Sequence, residues 1–226
     1  MSTKITAEIA LEQLRENLRP ACVATVGGFR PPEDPLTSWF CRGVGLAAEG
    51  LPLWQGEPMF PLLQIRVAEL PWIPEALSDI ALLVLFHNLR EHPFDNKHGD
   101  GWLIREYKST DNLSPLPDVA HPYKPFPLRW TLHQDAPGWE DAWDVVDLSA
   151  VNADPAATEI FFREFNRYPQ TKVGGYPYEI QHGVGLDDFV FQVGSEEKVN
   201  WMWADNGIGY FFRSPQGEWR WSCQFY

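Results

Sequence analysis

Short runs of aromatic and β-branched residues that end at turn-forming residues constrain this sequence more than any other feature. Three such runs, at 189–193, 208–212 and 219–223, follow one another and are separated by Gly, Asn and Ser-Pro. This pattern is typical of β-strands. Just before them, Gly174, Gly175 and Pro177 predict a tight backbone corner, because glycine adopts conformations closed to other residues and proline fixes φ.

The remainder of the chain predicts more strands and a few helices. Apolar residues at helical spacing after Thr6 predict a first helix that ends at Pro20, and Asp154-Pro155 begins a second one that ends before Pro169. Further strands are predicted over 21–26, 38–44, 62–67, 80–87 and 101–107. The expected fold class is therefore α+β, rich in β-structure, with mostly antiparallel sheet and a few helices.

The sequence also indicates a degenerate internal repeat. A glycine is followed by a polar Gln in a strand and then by an apolar strand, once around Gly45 and Gln64 and again around Gly174 and Gln192. We predict a single domain over 1–226 with two pseudo-repeated halves, about 1–110 and 130–226. The segment 111–129 contains five prolines, which favours an extended connector between the halves.

Charge and hydropathy limit the classes of partner and the compartment. The 226 residues include 31 acids and 18 Lys or Arg, a net charge of −13, so nucleic acid is a poor partner. No apolar run reaches the ~20 residues of a membrane helix, and the N-terminus lacks the apolar centre of a signal peptide. We therefore expect a cytoplasmic protein that does not bind membranes; the sequence leaves its oligomeric state open.

No motif predicts catalysis, a metal or a cofactor. The three cysteines are scattered and form no metal or disulfide pattern. A nucleophile elbow and a phosphate-binding loop are both missing from the sequence. His92 and His98, with Asp95 and Asp100, are the nearest approach to a metal cluster, but their spacing fits a solvated polar loop better. Asp187-Asp188 is interpreted as a turn.

Polar residues inside apolar strands allow two interpretations. If Gln64, Gln181 and Gln192 are buried, they need hydrogen-bond partners, so we expect a structural network rather than a ligand-binding amide. Asp205-Asn206-Gly207 predicts a turn, because Asn-Gly tolerates positive φ at both central positions.

Two tryptophan pairs lie at alternating positions, Trp201 with Trp203 and Trp219 with Trp221. In a strand each pair shares one face. Such a face suits either a packed core or a binding platform, and the core is the favoured interpretation.

One acidic segment has the composition of a docking surface. Residues 130–162 contain seven acids and no Lys or Arg. Aromatic anchors alternate with acids there, which suits capture of a basic protein; a solvated acidic loop is the alternative. The candidate partner-binding residues are Trp139, Glu140, Asp141, Trp143, Asp144 and Asp147.

Several spaced segments together resemble the YwqG-like family, a bacterial family of unassigned function. They are 56–70, 172–181, 189–193 and 202–212. One departure is Gly43-Val44-Gly45-Leu46, where the family usually shows Gly-Gly-x-Pro. The resemblance implies a β-rich α+β fold, supplies no catalytic residues, and implies a link to toxin-neutralising gene neighbourhoods. The motif residues to which we assign structural roles are Gly174, Gly175, Pro177, Gln181, Gln192, Asp205 and Gly207.

Two functions remain open at this point. The first is a non-catalytic binding protein, and specifically an immunity-type protein that neutralises a basic bacterial toxin. The second is a small-molecule or carbohydrate-binding or hydrolytic protein that uses a cleft between the two halves.

Overall fold

A computed structural model describes residues 5–94, 96–181 and 183–226. The helices are α1 Ala7–Glu16, α2 Trp139–Val145, α3 Ser149–Asn152 and α4 Pro155–Glu164, with short 3-10 helices at Val67–Glu69 and Glu75–Leu77. The strands are β1 Arg19–Val26, β2 Trp39–Phe40, β3 Val44–Leu46, β4 Leu53–Trp54, β5 Glu57–Pro58, β6 Phe60–Arg66, β7 Leu82–His87, β8 Trp102–Tyr107, β9 Leu113–Pro115, β10 Phe126–Asp135, β11 Lys172–Gly174, β12 Phe189–Gly194, β13 Ile208–Arg213 and β14 Trp219–Gln224.

Ten of these strands form one antiparallel sheet in the order β14-β13-β12-β11-β1-β10-β2-β6-β7-β8. The sheet curls until its two edges nearly meet. Glu106 on β8 accepts hydrogen bonds from Arg213 Nε at 2.8 Å and from Trp219 Nε1 at 2.6 Å, which ties the edges together. The expected β-rich, mostly antiparallel α+β fold is confirmed.

The strand order reads the same from either end when β1 is matched with β10, β2 with β11, β6 with β12, β7 with β13 and β8 with β14. The central pair is β1 with β10. The first group of matched strands is β1, β2, β6, β7 and β8, and the second is β10 to β14. β1 of the first group also pairs with β11 of the second, and β10 of the second pairs with β2 of the first. The limits of the two halves stay a prediction; β9 and the start of β10 lie within the connector segment 111–129.

The core lies inside the curled sheet. Apolar side chains of its central strands, with Trp201 and Trp203, form the largest buried cluster. A second apolar cluster joins α1 to α2, α3 and α4, with Leu14 and Phe161 as members. None of the helices within the described parts of the chain is long and apolar enough to span a membrane.

Most predicted elements lie where their patterns indicated. The first helix is capped by Thr6, whose Oγ1 accepts from Ile9 N, and Asp154 caps α4 in the same way. The strand predicted over 38–44 is instead interrupted, because Cys41 turns the chain at φ 53°. Helices α2 and α3 replace the loop considered for the acidic segment.

Candidate functional site

The glycine corner is built around a buried ion pair. Gly174 and Gly175 have φ of 77° and 74°, so the predicted use of glycine is confirmed. A Cβ on Gly175 would overlap Asp135 Oδ2, and this close approach lets Tyr176 N donate to that oxygen at 2.9 Å. Lys172 Nζ donates to the same oxygen at 2.5 Å. The corner therefore serves Asp135, a partner that sequence reasoning did not identify.

Burial dominates the electrostatics of this ion pair. Asp135 is fully buried and Lys172 is 1% exposed. Burial raises the pKa of Asp135 and lowers the pKa of Lys172 to about 8, although each charge favours the ionised form of the other. The pair fixes β11 to the end of β10 and has no route to solvent, so its role is structural.

Two buried glutamines repeat one hydrogen-bond pattern. Gln192 Oε1 accepts from Tyr178 N at 2.9 Å, and its Nε2 donates to the carbonyls of Tyr168 and Gln170. These bonds join the backbone before β11 to the backbone beyond the glycine corner. The predicted structural network is confirmed for Gln192.

Gln64 makes the matching set of bonds in the first half. Its Oε1 accepts from Val44 N at 2.8 Å, and its Nε2 donates to the carbonyls of Pro35 and Thr37. Both glutamines are fully buried. The network is therefore duplicated, once on β6 and once on β12.

The other motif residues connect the corner to the end of the chain. Pro177 is buried beside it. Gln181 is exposed, its backbone N donates to Gln224 Oε1 at 3.0 Å, and its Nε2 donates to the carbonyl of Phe225 at 2.9 Å. Gln181 is thus not a strand residue, but it does belong to the hydrogen-bonded network.

The turn before β13 forms, but with different backbone conformations from those expected. Ala204 and Asn206 have positive φ, at 43° and 50°, whereas Gly207 does not. Asp205 lies in the turn, and its carbonyl accepts from Tyr226 N at 3.1 Å. Gly207 is needed because a Cβ there would overlap the carbonyl oxygen of Gln224. The glycine permits close packing rather than a positive φ.

The acidic segment forms an exposed aromatic surface with acids around it. Trp143 and Phe162 are 38% and 66% exposed. Trp139, half-buried, stacks on Phe162 at 5.5 Å between ring centroids and meets Trp143 edge-on at 6.2 Å. Glu140 and Asp144 are exposed on the same helix α2. We name Trp139, Glu140, Trp143, Asp144 and Phe162 the acidic aromatic face; Phe162, on α4, was not among the predicted partner-binding residues.

Asp147 and Asp141 are placed differently from the acids of that face. Asp147 is exposed, and its Oδ1 accepts from Ser149 N at 2.9 Å at the start of α3. Asp141 is half-buried, and burial and the adjacent carboxylate of Glu179 raise its pKa to about 6, while Arg167 opposes the shift. Asp141 therefore points to a second carboxylate instead of to a partner.

Asp141→Asn is expected to increase the free energy of unfolding at pH 7.5 by about 1 kcal/mol, because it removes a charge that burial and Glu179 disfavour. The expected gain is smaller than the pKa shift alone would give, because solvent screens the exposed part of the carboxylate. The folded-state pKa lies above that of the unfolded chain. The folded protein therefore binds the extra proton between about pH 4 and pH 6, and stability falls as pH rises through 6. Urea unfolding of the wild type and the variant at pH 4 and at pH 7.5 measures this difference.

The exposed neighbour substitution Asp144→Asn is the control and should change stability little at either pH. An equal gain at pH 4 and pH 7.5 for Asp141→Asn would contradict the assignment. At pH 4 the Asp141 side chain of the folded wild type is protonated, so it is as uncharged as the asparagine of the variant.

The histidines of the polar loop do not converge. His98 Nε2 accepts from Ile104 N at 2.8 Å and packs against Trp102, while His92 packs against His87. In the described parts of the chain, no three His, Cys, Asp or Glu side chains are placed to hold a metal ion. Asp95, one of the candidate ligands, lies outside the described residues.

The tryptophan pairs belong to the core, as favoured. Trp201 and Trp203 are 2% and 0% exposed and meet edge-to-face at 4.9 Å. Both contact His87, a ring that burial keeps neutral by lowering its pKa to about 3. Trp219 is also buried, and Trp221 is half-buried between other aromatic rings.

Comparison with known proteins identifies the family. No curated protein matches this sequence. Residues 47–217 match the model of a domain of unknown function, DUF1963, and this span includes the glycine corner, both buried glutamines and the acidic aromatic face. Because the match covers well over half of the 226 residues, the chain belongs to the DUF1963 family.

Proposed function

We propose that this protein is a non-catalytic, cytoplasmic binding protein of the YwqG-like type, and that it neutralises a basic toxin by covering it. The exposed rings of Trp143 and Phe162, which both contact Trp139 and lie near the exposed acids Glu140 and Asp144 of α2, are the observation that supports this proposal. Contiguous exposed apolar surface bordered by polar residues often marks a protein interaction site.

Charge determines the kind of partner. Residues 130–162 contribute acids without a Lys or Arg, and Glu140 and Asp144 lie on the same short helix as Trp143. A basic surface would be attracted over several ångströms by the acids, and the aromatic rings would then exclude water from the contact. Trp139 already packs against Trp143, Phe162 and Phe161, so little side-chain entropy is lost on binding.

The double substitution Glu140→Lys and Asp144→Lys is expected to slow association at low salt by at least tenfold. The partner for this measurement is the product of a basic toxin gene adjacent to the gene for this protein, immobilised for biolayer interferometry. Trp143→Ala is expected to act mainly on dissociation and to speed it by about tenfold, because it removes a packed anchor.

Glu75→Lys with Asp111→Lys is the matched control, because it changes net charge by the same amount on exposed residues outside the acidic segment. Equal slowing by both double variants would show that net charge alone acts and would remove the face from the proposal. Absence of a complex with the neighbouring basic protein, or only metabolic genes as neighbours, would contradict the immunity function.

A further inference from the structure

The two edge strands of the ten-stranded sheet, β8 and β14, differ in how their backbone is covered. At the β8 edge, the carbonyl of Trp102 accepts from Gly99 N at 2.8 Å, and Ile104 N donates to His98 Nε2 at 2.8 Å. The loop that precedes β8 therefore covers this edge. Natural sheets commonly cover their edges, because an unpaired strand can pair with another chain.

The pairing of β13 shows which backbone groups of β14 face outwards. Arg213 N donates to the carbonyl of Asp188, on the β12 side, at 2.9 Å. Backbone groups of successive residues point to opposite sides of a strand, so Phe212 bonds towards β14, where it lies opposite Arg220. The backbone groups on either side of Arg220 therefore point away from the sheet. The outward-facing residues are Trp219, Trp221 and Cys223.

These outward groups are left open to another chain. In the described parts of the chain, β14 pairs with β13 alone, and no hydrogen bond is made to the outward backbone of Trp219, Trp221 or Cys223. A row of free N–H and C=O groups is complementary to the backbone of one more extended strand. The hydrogen-bonding chemistry of this edge therefore selects an extended peptide.

A groove runs along the open edge. Its larger part, about 700 Å³, has residues 217–221 on one side and 96–98 on the other. A smaller part, about 250 Å³, continues from Trp221 to Phe225 beside Phe94. Successive side chains of a strand point to opposite faces, so a space that contacts consecutive residues lies against the edge of the strand. We name this space the edge groove.

Aromatic rings form the inner wall of the edge groove. Trp219 and Trp221 pack against the core, and the Trp102 ring lies 6.1 Å from the Trp221 ring between centroids. A strand added to β14 would place its side chains opposite Trp219 and Trp221 on this same face. Those two positions of the added strand suit apolar residues.

The outer face of β14 carries a positive charge. Arg220 is exposed, and its guanidinium lies 3.9 Å from the centroid of the Phe212 ring. Lys97, on the opposite wall, is also exposed, and neither cation forms an ion pair with a described residue. Glu218 also lines the groove, so the two cations outnumber it. An acidic side chain opposite Arg220 would complement this charge.

We propose that the edge groove binds an extended peptide segment of another protein, which adds to β14 as an antiparallel strand. Its apolar residues lie opposite Trp219 and Trp221, and its acidic residue lies opposite Arg220. Backbone hydrogen bonds give affinity, and the alternating side chains give specificity. A second copy of this chain is a poorer occupant, because each copy carries a net charge of −13 and the copies repel. The groove uses other residues than the acidic aromatic face.

Calorimetric titration with the capped peptide Gly-Thr-Val-Glu-Val-Thr-Gly tests the site. Saturable binding to one site is expected. N-Methylation of both valines removes the N–H groups that face β14 and is expected to weaken binding by at least about tenfold, because each lost hydrogen bond costs about 1 kcal/mol. N-Methylation of both threonines is the matched control. Their N–H groups face away from β14, so binding should change little.

Amide hydrogen exchange of the wild-type protein gives a second readout. The amides of Trp219 and Trp221 are expected to exchange rapidly in the free protein and slowly with peptide bound, whereas the Arg220 amide, bonded to β13, is protected in both. Arg220→Glu is expected to weaken binding by about tenfold and to favour a peptide with lysine in place of glutamate. Lys124→Glu, at an exposed position of the connector, is its control and should leave binding unchanged.

Four results would each overturn the proposal. They are no saturable binding, equal losses from the two methylated peptides, peptide-induced protection only outside β14, and a dimer of this chain that protects the Trp219 and Trp221 amides without peptide. Sedimentation equilibrium of the free protein detects the dimer.

Discussion

Replacing Lys172 by Met is expected to reduce the free energy of unfolding by about 3–5 kcal/mol, because it leaves a buried carboxylate without its counter-charge. Asp135 would keep only the hydrogen bond from Tyr176 N. Methionine matches the length of the lysine stem, so the loss reports the charge rather than a cavity. Urea unfolding followed by tryptophan fluorescence measures it.

The pH dependence separates this cause from a packing defect. Without Lys172, the pKa of Asp135 rises further above that of the unfolded chain, so the folded variant is most stable at low pH and loses stability as pH rises. The difference between wild type and Lys172→Met should therefore be larger at pH 8 than at pH 5. Adding Asp135→Asn should restore part of the loss at pH 8. A loss below 1 kcal/mol, or one that is independent of pH, would contradict this account.

Gln192→Leu is expected to cost about 3 kcal/mol, since each hydrogen bond lost by a partly buried backbone group costs about 1 kcal/mol. One amide, that of Tyr178, and two carbonyls, those of Tyr168 and Gln170, would lose their partner together. Denaturant unfolding with an unchanged m-value is the expected signature.

Gln64→Leu should repeat that loss, because Gln64 makes the same three kinds of bond in the other half. Gln216→Leu, at an exposed loop position, is the matched control and should change stability by less than about 0.5 kcal/mol. If Gln192→Leu and Gln216→Leu had equal effects, the buried network would contribute nothing to stability.

The sequence predicts the parts of this fold that depend on local chemistry. Gly174 and Gly175 can be recognised because positive φ excludes most other residues. The strand β7 can be recognised because its short apolar run is typical of a strand covered on both faces. Gln64 and Gln192 could be predicted as network members, since a buried amide inside an apolar strand must find partners. Their partners could not be predicted.

What the sequence does not reveal is set by tertiary pairing. Asp135 meets Lys172 because β10 and β11 both pair with β1, which lies between them in the sheet. No local sequence pattern encodes that strand order. The Asp141 and Glu179 contact has the same origin. The sequence of helix α2 has no regular apolar stripe, so its acids and tryptophans are typical of a loop. The helix is held by a tertiary contact, the packing of Phe161 against Trp139. The positive φ of Cys41 could not be predicted from the sequence, because cysteine has no preference for that region of φ and ψ.

The exchange of first strands between the two halves has a consequence for synthesis of the chain. Arg19 of β1 pairs with Asp135, which is more than one hundred residues later in the chain. The other edge of β1 pairs with β11, which is synthesised later still. At about 5–20 residues per second, the ribosome leaves β1 without neighbours for a time on the order of ten seconds. Contacts of such long sequence separation also form slowly. β1 therefore cannot reach its native pairing until both β10 and β11 have been synthesised, and its unpaired edges stay exposed to other chains until then.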